Sequence, residues 1–301
     1  MSNVRVLAAG YFSIDRIELP GSVHDTVPGG AALYAALGAR FAGADAKIAA
    51  TVGDDYPVAW MQALEALGID TTLVTHGTAM TRRATLRHSQ NGARISAHHH
   101  DATWWERTRA LAPRIPAEFE GVSALALGPM PIELLDTFVA AAQSRVPVIV
   151  ADTSAAFAAV DTQMLLAVLP RLSVFAPSCE ETRLLFAGQS DDQAAYNLAR
   201  YGVHMLQKRG ADGALAVMAG GQHAVKIAAW PAQVCDPTGA GDATLGALAA
   251  YLALGLPFPA AAQEALKAGA KTVSAIGPAG LGFVAGKEIE NPSLLEKSRT
   301  P

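Results

Sequence analysis

Short apolar runs separated by polar turns recur along the chain and predict buried β-strands. These strands cover residues 4–9, 46–52, 72–75, 123–127, 146–151, 174–176 and 204–208. Longer segments rich in alanine and leucine predict helices over 31–41, 56–67, 133–144, 163–169, 180–186, 191–201 and 260–275. One more helix is expected after a small-residue loop near position 240, and it runs to about Leu254.

Strands and helices alternate from residue 122 onward, which predicts a parallel sheet with right-handed crossovers. The alanine-rich helices are slim, and slim helices suit packing on both faces of a sheet. We therefore expect an α/β core of three layers with a mostly parallel sheet. Ligands bind at the carboxyl ends of the strands in such folds. Such ends are expected at Asp152, Pro177-Ser178, Gly210 and the loop at Gly239.

Alternating apolar and polar positions elsewhere predict a second, smaller sheet. Residues 12–19 alternate in this way, and segments 82–90 and 93–100 flank Asn91-Gly92, a strong hairpin signal. One face of the predicted hairpin is apolar and the other is polar and charged. A hairpin buries little by itself. We therefore expect it to join strand 12–19 in a small sheet that stands off the main domain.

Composition fits a soluble protein of one large domain or two small ones. Of the 301 residues, 51% are hydrophobic and 17% are charged, which allows an ample core. The formal net charge of −4 gives no indication of nucleic-acid binding. Cys179 and Cys235 show no metal-ligand spacing, so no disulfide framework is expected and a cytoplasmic location is the default.

Neither a signal peptide nor a membrane span is predicted. The N-terminus passes from Met-Ser-Asn-Val-Arg directly into the first strand, without a long apolar run and cleavage site. Residues 243–262 carry no charge, but Gly255, Pro257 and Pro259 interrupt them. This pattern indicates a buried helix, a turn and the start of a second helix.

The most informative stretch for chemistry is Asp236-Pro237-Thr238-Gly239-Ala240-Gly241-Asp242, which ends an apolar, strand-like region. Three small residues before a helix leave backbone N–H groups free, which makes an anion site at the positive end of the helix dipole. The acid that follows can accept a proton from an attacking hydroxyl group, as phosphoryl transfer requires. The alternative is an ordinary helix cap, because acids and glycines are common at helix starts.

Three other motifs are absent from the sequence. The chain has no G-x-x-x-x-G-K-[ST] loop, no G-x-G-x-x-G fingerprint after a strand and no G-x-S-x-G elbow. These absences argue against the common kinds of P-loop kinase, dinucleotide dehydrogenase and serine hydrolase.

The seven-residue stretch resembles the D-T-x-G-A-G-D signature of the ribokinase-like (PfkB) sugar and nucleoside kinases, with Pro237 as a departure. The resemblance extends from Gly10 to about Gly277. It implies a single ribokinase-like domain over 1–301, with a β lid formed by about 11–20 and 72–101. It also implies transfer of the γ-phosphoryl group of ATP to a sugar, polyol or nucleoside, with Mg²⁺. Some relatives also bind K⁺ near this loop.

The resemblance implies a role for each residue of the signature. Asp242 would act as the general base, and the amides of Gly239, Ala240 and Gly241 would hold the charge of the moving phosphoryl group. The resemblance also implies which residues contact the acceptor. These acceptor-side positions are Asp15, Gly29, Gly30, Tyr34 and Asp236.

Four of these acceptor-side positions depart from the family or have simpler explanations. Tyr34 stands where the family has an asparagine, although a phenol can still hydrogen-bond or stack, so inositol or a nucleoside fits as well as ribose or fructose. Ser13 replaces another asparagine. Without the resemblance, Asp15 would be a solvated strand acid and Gly29-Gly30 a plain hinge.

The same resemblance implies a nucleotide and metal side. Pro177-Ser178-Cys179-Glu180-Glu181 lies where the family has Pro-Asn-x-x-Glu, so Glu181 would order Mg²⁺, partly through water, and Ser178 replaces the asparagine. Lys208, Gly210 and Gly213 lie at the turn that packs on the nucleotide in relatives, and Thr238 is assigned to the same side. Alternatively, Glu181 is a first-turn helix acid, and Lys208 and Arg209 belong to a solvated turn.

Several features leave alternatives open. His98 and His100 could share a metal ion on one strand face, although zinc favours more ligands. Trp104 and Trp105 could stack on a base or simply pack. In the family the lid covers the substrate and in some members forms a homodimer contact. The replacements at Ser178 and Tyr34 also allow a non-catalytic ligand-binding relative, against which the intact Asp242 argues.

Overall fold

A nine-stranded sheet forms the centre of the computed structural model, which describes residues 4–89 and 102–284. The strands are β1 (Arg5–Ala9), β2 (Ser13–Leu19), β3 (Ser22–Gly29), β4 (Asp45–Val52), β5 (Asp70–His76), β6 (Arg82–Arg87), β7 (Ala124–Leu127), β8 (Val148–Ala151), β9 (Val174–Phe175), β10 (His204–Lys208), β11 (Ala214–Val217) and β12 (Ala224–Ile227). The helices are α1 (Ala31–Phe41), α2 (Val58–Ala66), α3 (Ala102–Ala110), α4 (Ile132–Ala142), α5 (Ala155–Ala158), α6 (Thr162–Val168), α7 (Cys179–Leu185), α8 (Asp191–Ala199), α9 (Ala240–Ala253) and α10 (Phe258–Thr272).

The large sheet has the strand order β12-β11-β10-β9-β8-β7-β1-β4-β5. Its strands from β10 to β5 are parallel, and β11 and β12 continue the sheet as antiparallel strands. Apolar side chains from its two faces belong to two separate core clusters, because helices cover both faces. The predicted three-layer α/β core with a mostly parallel sheet is therefore confirmed.

A separate sheet of three strands has the order β3-β2-β6. Strand β2 pairs in parallel with β6 and antiparallel with β3, with a bulge between Asp15 and Ile17. Ile17, Val27 and Leu86 form a small buried cluster on its inner face. The expected small sheet beside the main domain is confirmed, and it lies over the elements that follow α10.

Five elements were not predicted from the sequence, namely α3, α5, β3, β11 and β12. The residues just before Asp236 were expected to be strand-like, but 228–235 form no strand and are mostly exposed. Residues 72–75 were assigned to the lid segment, whereas β5 pairs with β4 in the large sheet. The second hairpin arm and His98–His100 lie outside the described residues.

The uncharged segment 243–262 folds as predicted, since α9 ends at Ala253 and α10 begins at Phe258. Within the described ranges, we find no helix with the length and apolarity that a bilayer crossing demands.

Helices α1 and α9 touch through their backbones. A Cβ atom added at Gly38 would collide with the carbonyl of Ala243, and one added at Gly246 would collide with the carbonyl of Ala35. Small residues therefore let the two helices approach more closely than ordinary side chains allow. This contact places Tyr34 of α1 against the first residues of α9.

Candidate active site

The loop before α9 presents backbone donors toward one side of the sheet. Gly239 adopts the left-handed conformation, with φ 76°, and α9 begins at the next residue. The amides of Gly239 and Gly241 find no backbone acceptor among the described residues. Asp242 follows in the first turn of α9 and is half-buried. The loop and Asp242 thus lie together at the start of α9, and their roles as anion site and general base stay predictions.

The buried carboxylate of Asp236 holds this loop in place through hydrogen bonds. Its Oδ1 atom accepts a hydrogen bond from the amide of Thr238 at 2.9 Å, and Oδ2 accepts one from the amide of Gly277 at 2.8 Å. The side chain is fully buried. Asp236 thus ties the loop before α9 to the segment after α10.

Tyr34 lies beneath the loop. A Cβ atom at Gly239 would collide with the Tyr34 ring, so only glycine leaves room for it. The phenol oxygen is buried and has no hydrogen-bond partner in the part of the chain that the structure describes. Burial raises the pKa of Tyr34 well above its usual value, and the carboxylates of Asp15, Asp236 and Asp242 add to the shift. The phenol therefore lies among three acidic residues.

Asp15 and the glycine pair lie beside Tyr34. Asp15 is only 4% exposed, which differs from the solvated acid that its strand pattern alone suggests. A Cβ atom at Gly29 would collide with the Asp15 carboxylate, and it would lie 2.9 Å from Oγ of Ser13. The structure thus brings the predicted acceptor-side residues Asp15, Gly29 and Tyr34 together in front of Asp242. Gly30 is the residue that joins β3 to α1.

Lys208 forms a buried ion pair with Asp152 at the carboxyl ends of β10 and β8. The same Nζ atom would lie 3.0 Å from a Cβ atom at Gly241, so the ammonium borders the anion loop. Burial lowers the pKa of Lys208, but the carboxylates of Asp152, Glu181 and Asp242 outweigh this effect and raise it. Lys208 is therefore charged and not part of a solvated turn.

The sequence had marked Asp152 only as a strand end. Burial raises the pKa of its carboxyl group to about 6, and Lys208 opposes this rise. Only the fold shows that Asp152 and Lys208, which are far apart in sequence, meet beside Gly241.

Ser178 and Glu181 form a capping box at the start of α7. Oγ of Ser178 accepts from the amide of Glu181 at 3.3 Å, and the Glu181 carboxylate accepts from the amide of Ser178 at 2.5 Å. Burial and the nearby Asp152 raise the pKa of Glu181 to about 7, against the opposing effect of Lys208. A second acid thus joins the cluster around Lys208.

Because the pKa of Glu181 is raised, we expect its contribution to the free energy of unfolding to depend on pH. Between its ordinary value of 4.5 and about 7, folded Glu181 keeps a proton that the unfolded chain releases. Its contribution to the free energy of unfolding therefore falls as pH rises through this window. We expect Glu181→Gln to gain stability relative to the natural protein from pH 5 to pH 8, measured by urea unfolding.

The control for this measurement is Glu180→Gln, because Glu180 is exposed in the same first turn. A stability difference between Glu181→Gln and the natural protein that stays constant from pH 5 to pH 8 would contradict the burial of a titrating Glu181.

The turn after Lys208 contains the two predicted glycines. Gly210 is exposed, and Gly213 is buried where a Cβ atom would collide with the carbonyl of Ile227. Arg209 points away from the loop, because its guanidinium pairs with Asp192 at 2.6 Å. The cation beside the anion loop is therefore Lys208 and not Arg209.

His88 is a site residue that the sequence did not indicate. It follows β6 of the small sheet, and its Nε2 atom lies 3.2 Å from Oγ1 of Thr238 and 3.9 Å from Oδ1 of Asp236. Its side chain is 6% exposed. This contact joins the small sheet to the signature loop across 150 positions of sequence. No periodicity in a single strand could have shown it.

Trp104 and Trp105 belong to α3 and pack together. Their ring centres lie 4.9 Å apart, and both lie within 5.8 Å of the Phe157 ring. The structure therefore shows the packing role for this pair.

A mostly parallel sheet between two helix layers, a small sheet beside it and an anion loop at the start of α9 define a ribokinase-like α/β protein. Residues 16–281 match the family described as pfkB family carbohydrate kinase, and the chain belongs to that family.

Individual relatives agree with this assignment. A cytidine kinase of Thermococcus kodakarensis is 24% identical over 258 residues, which cover 84% of this chain and 90% of that protein. The Burkholderia thailandensis nucleoside kinase in complex with inosine has a TM-score of 0.75 at 19% identity, over 98% of this chain and 96% of that chain. A Methanocaldococcus jannaschii nucleoside kinase has a TM-score of 0.71 at 18% identity, over 92% and 93% of the two chains. The structural matches establish the fold alone.

Proposed function

We propose that this protein transfers the γ-phosphoryl group of ATP to a hydroxyl group of a small sugar, polyol or nucleoside. The observation that carries the proposal is the position of Asp242, which lies next to the amides of the loop and near Lys208 and Tyr34. An anion site, a cation and a carboxylate thus meet at one point. Phosphoryl transfer requires this combination, because catalysis consists mainly of positioning and charge stabilisation.

In this proposal each residue near the loop has a separate task. Asp242 accepts the proton of the attacking hydroxyl group. The amides of Gly239, Ala240 and Gly241 donate to the oxygens of the transferred group, and Lys208 adds a positive charge beside them. These donors are already oriented by the helix start and by the buried Asp152 pair. They therefore stabilise charge without reorganising.

The acceptor would bind between the small sheet and the loop. Asp15 and the Tyr34 phenol are the polar groups in this space, and Gly29 and Gly30 leave room for the ligand to approach. Asp236 and Thr238 support the space from the loop side through their hydrogen bonds. The small sheet would exclude water, which could otherwise attack ATP in place of the acceptor.

Magnesium fits the acids at the start of α7 and the end of β8. Burial raises the pKa of both Glu181 and Asp152. A neighbouring carboxylate adds to each rise, Asp152 for Glu181 and Asp242 for Asp152, so a cation nearby relieves unfavourable charge. Glu181 would hold the ion through water. Within the described residues no group of three or more acidic, histidine or cysteine side chains forms a metal site. When bound, the ion neutralises phosphate charge.

Four further expectations stay predictions. They are K⁺ near the loop, a homodimer through the small sheet, a cytoplasmic location, and the role of Ser178, Gly210 and Gly213 in holding the nucleotide. Nucleosides are the first acceptors to test, because the relatives named above are nucleoside kinases.

The test is ADP release from Mg-ATP with a panel of nucleosides, sugars and polyols. We expect one acceptor class to raise ADP release far above the rate without acceptor. The same acceptor should yield a phosphorylated product in equal amount, which mass spectrometry can identify. A panel without any stimulation, while ATP still binds, would contradict the proposal and favour the second candidate, a non-catalytic ligand-binding relative.

A further inference from the structure

Arg82 is a cation on the small sheet that the proposed chemistry does not use. It is half-buried, and its guanidinium carbon lies 4.3 Å from the ring centre of Tyr11 and 5.0 Å from that of Trp104. Both rings are held in place. The Tyr11 hydroxyl donates to the carbonyl of Thr108 at 3.1 Å, and Trp104 packs against Phe157. Arg82 is therefore fixed by aromatic contacts rather than by an ion pair.

The donors of Arg82 have no acceptor in the described ranges 4–89 and 102–284. The neighbouring Arg83 shows the contrast, because its guanidinium pairs with Asp55 at 2.7 Å on the other side of the strand. A guanidinium carries five N–H donors in a planar fork. The Arg82 fork is held between two rings and is half-exposed, so its donors are open to a ligand that approaches from the solvent side.

Arg82 lies on the same face of the small sheet as the proposed acceptor-side residue Asp15. Arg82 is level with Ser13 in the pairing of β2 with β6, and Asp15 is two residues further along the same face. Burial lowers the pKa of Arg82, and the nearby Tyr11 and Asp15 oppose this shift. Asp15 in turn acts on Tyr34, which lies near Asp242. Electrostatic interactions thus relate Arg82 to Asp15, and Asp15 to Tyr34 near Asp242.

We propose that Arg82 binds a planar carbonyl or carboxylate oxygen of the acceptor, at the end of the pocket away from Asp242. This assignment rests on the proposed kinase function and narrows its acceptors. Two sources supply the required oxygen, a nucleobase carbonyl or the carboxylate of a sugar acid. Neutral sugars and polyols lack it. The guanidinium fork matches such groups in geometry, and the two rings hold its plane in position.

The test is calorimetric binding of two matched pairs of compounds, cytidine with ribose and gluconate with sorbitol. We expect one oxygen-bearing member to bind more tightly than its neutral partner. In Arg82→Met this preference should fall by about tenfold to a hundredfold, which corresponds to loss of a hydrogen bond to a charged group. Arg82→Lys keeps the charge without the fork and should recover only part of the preference.

Arg83→Met is the matched control, because it removes the adjacent guanidinium from the opposite side of the same strand. It should leave the preference unchanged, and thermal unfolding should show that all the variants are folded. An equal loss in Arg82→Met and Arg83→Met would contradict the proposal. Tighter binding of ribose than cytidine together with tighter binding of sorbitol than gluconate would also contradict it. Failure of both cytidine and gluconate to bind would contradict it as well.

Binding and turnover separate this inference from the proposed function. Arg82-dependent binding without acceptor-stimulated ADP release would support the inference and contradict the kinase function. Equal ADP release by the natural protein and by Arg82→Met, with ribose or sorbitol as the acceptor, would support the kinase function and contradict the inference.

Discussion

Replacing Asp242 by asparagine is expected to reduce acceptor-dependent ADP release by about 10²–10⁴-fold, the usual contribution of general base catalysis. The amide has nearly the same shape but cannot take the proton of the attacking hydroxyl group. ATP binding should persist, because the amides of Gly239 and Gly241 and the cation of Lys208 are unchanged. Steady-state ADP release and nucleotide binding by calorimetry measure the two effects separately.

Glu133→Gln is the matched control for this substitution. Glu133 is also an acid in the first turn of a helix, but it lies exposed at the start of α4. It should leave ADP release unchanged. If Asp242 were only an ordinary helix cap, both variants would lose a little stability and keep their activity, so retained turnover in Asp242→Asn would rule out the base assignment.

Lys208→Met is expected to lower the free energy of unfolding by about 3–5 kcal/mol, the typical cost of leaving one partner of a buried ion pair alone. The Lys208 side chain is 14% exposed and that of Asp152 is 4% exposed, so water cannot replace the lost ammonium. ADP release should also fall, by about a hundredfold, because the positive charge beside Gly241 is removed. Urea unfolding measures the loss of stability, and the ADP release assay measures the loss of activity.

A double variant distinguishes structure from catalysis at this position. Asp152→Asn combined with Lys208→Met removes the isolated charge, so it should recover most of the lost stability while activity stays low. Lys226→Met, on the exposed strand β12, is the control for loss of a lysine. Full activity in the stabilised double variant would show that Lys208 serves the fold alone.

The sequence predicted the core well because its strands are short, apolar and separated by helices at regular spacing. The elements that it missed lack such a pattern. Strand β3 contains several polar residues and also Pro28 and Gly29, which are uncommon in strands. Its pairing with β2 stabilises it. Strands β11 and β12 are antiparallel additions at the edge of the sheet, outside the strand–helix alternation that located the parallel strands. The residues before Asp236 were too apolar for a loop, yet no described strand pairs with them.

The candidate site likewise has one part that the sequence indicated and another part that only the fold shows. The motif around Gly239 and Asp242 is continuous in sequence, so the order of its residues alone was enough to propose it as a site. The partners that complete it come from distant strands: Asp152 meets Lys208, and His88 meets Thr238. Arg82 belongs to the same group, because only the fold shows which rings hold its guanidinium. Such pairs depend on tertiary packing, and a single sequence contains no direct record of it.

The backbone contact between α1 and α9 has a consequence for how different acceptors can be accommodated. One helix begins at the glycine pair on the proposed acceptor side, and the other begins at the loop that we propose binds the phosphoryl group. Because Gly38 and Gly246 leave no gap between them, neither helix can slide to suit a larger molecule. The separation between donor and acceptor therefore behaves as a constant of the scaffold. Evolution of a new substrate range would have to proceed through the small sheet, leaving the reacting distance untouched.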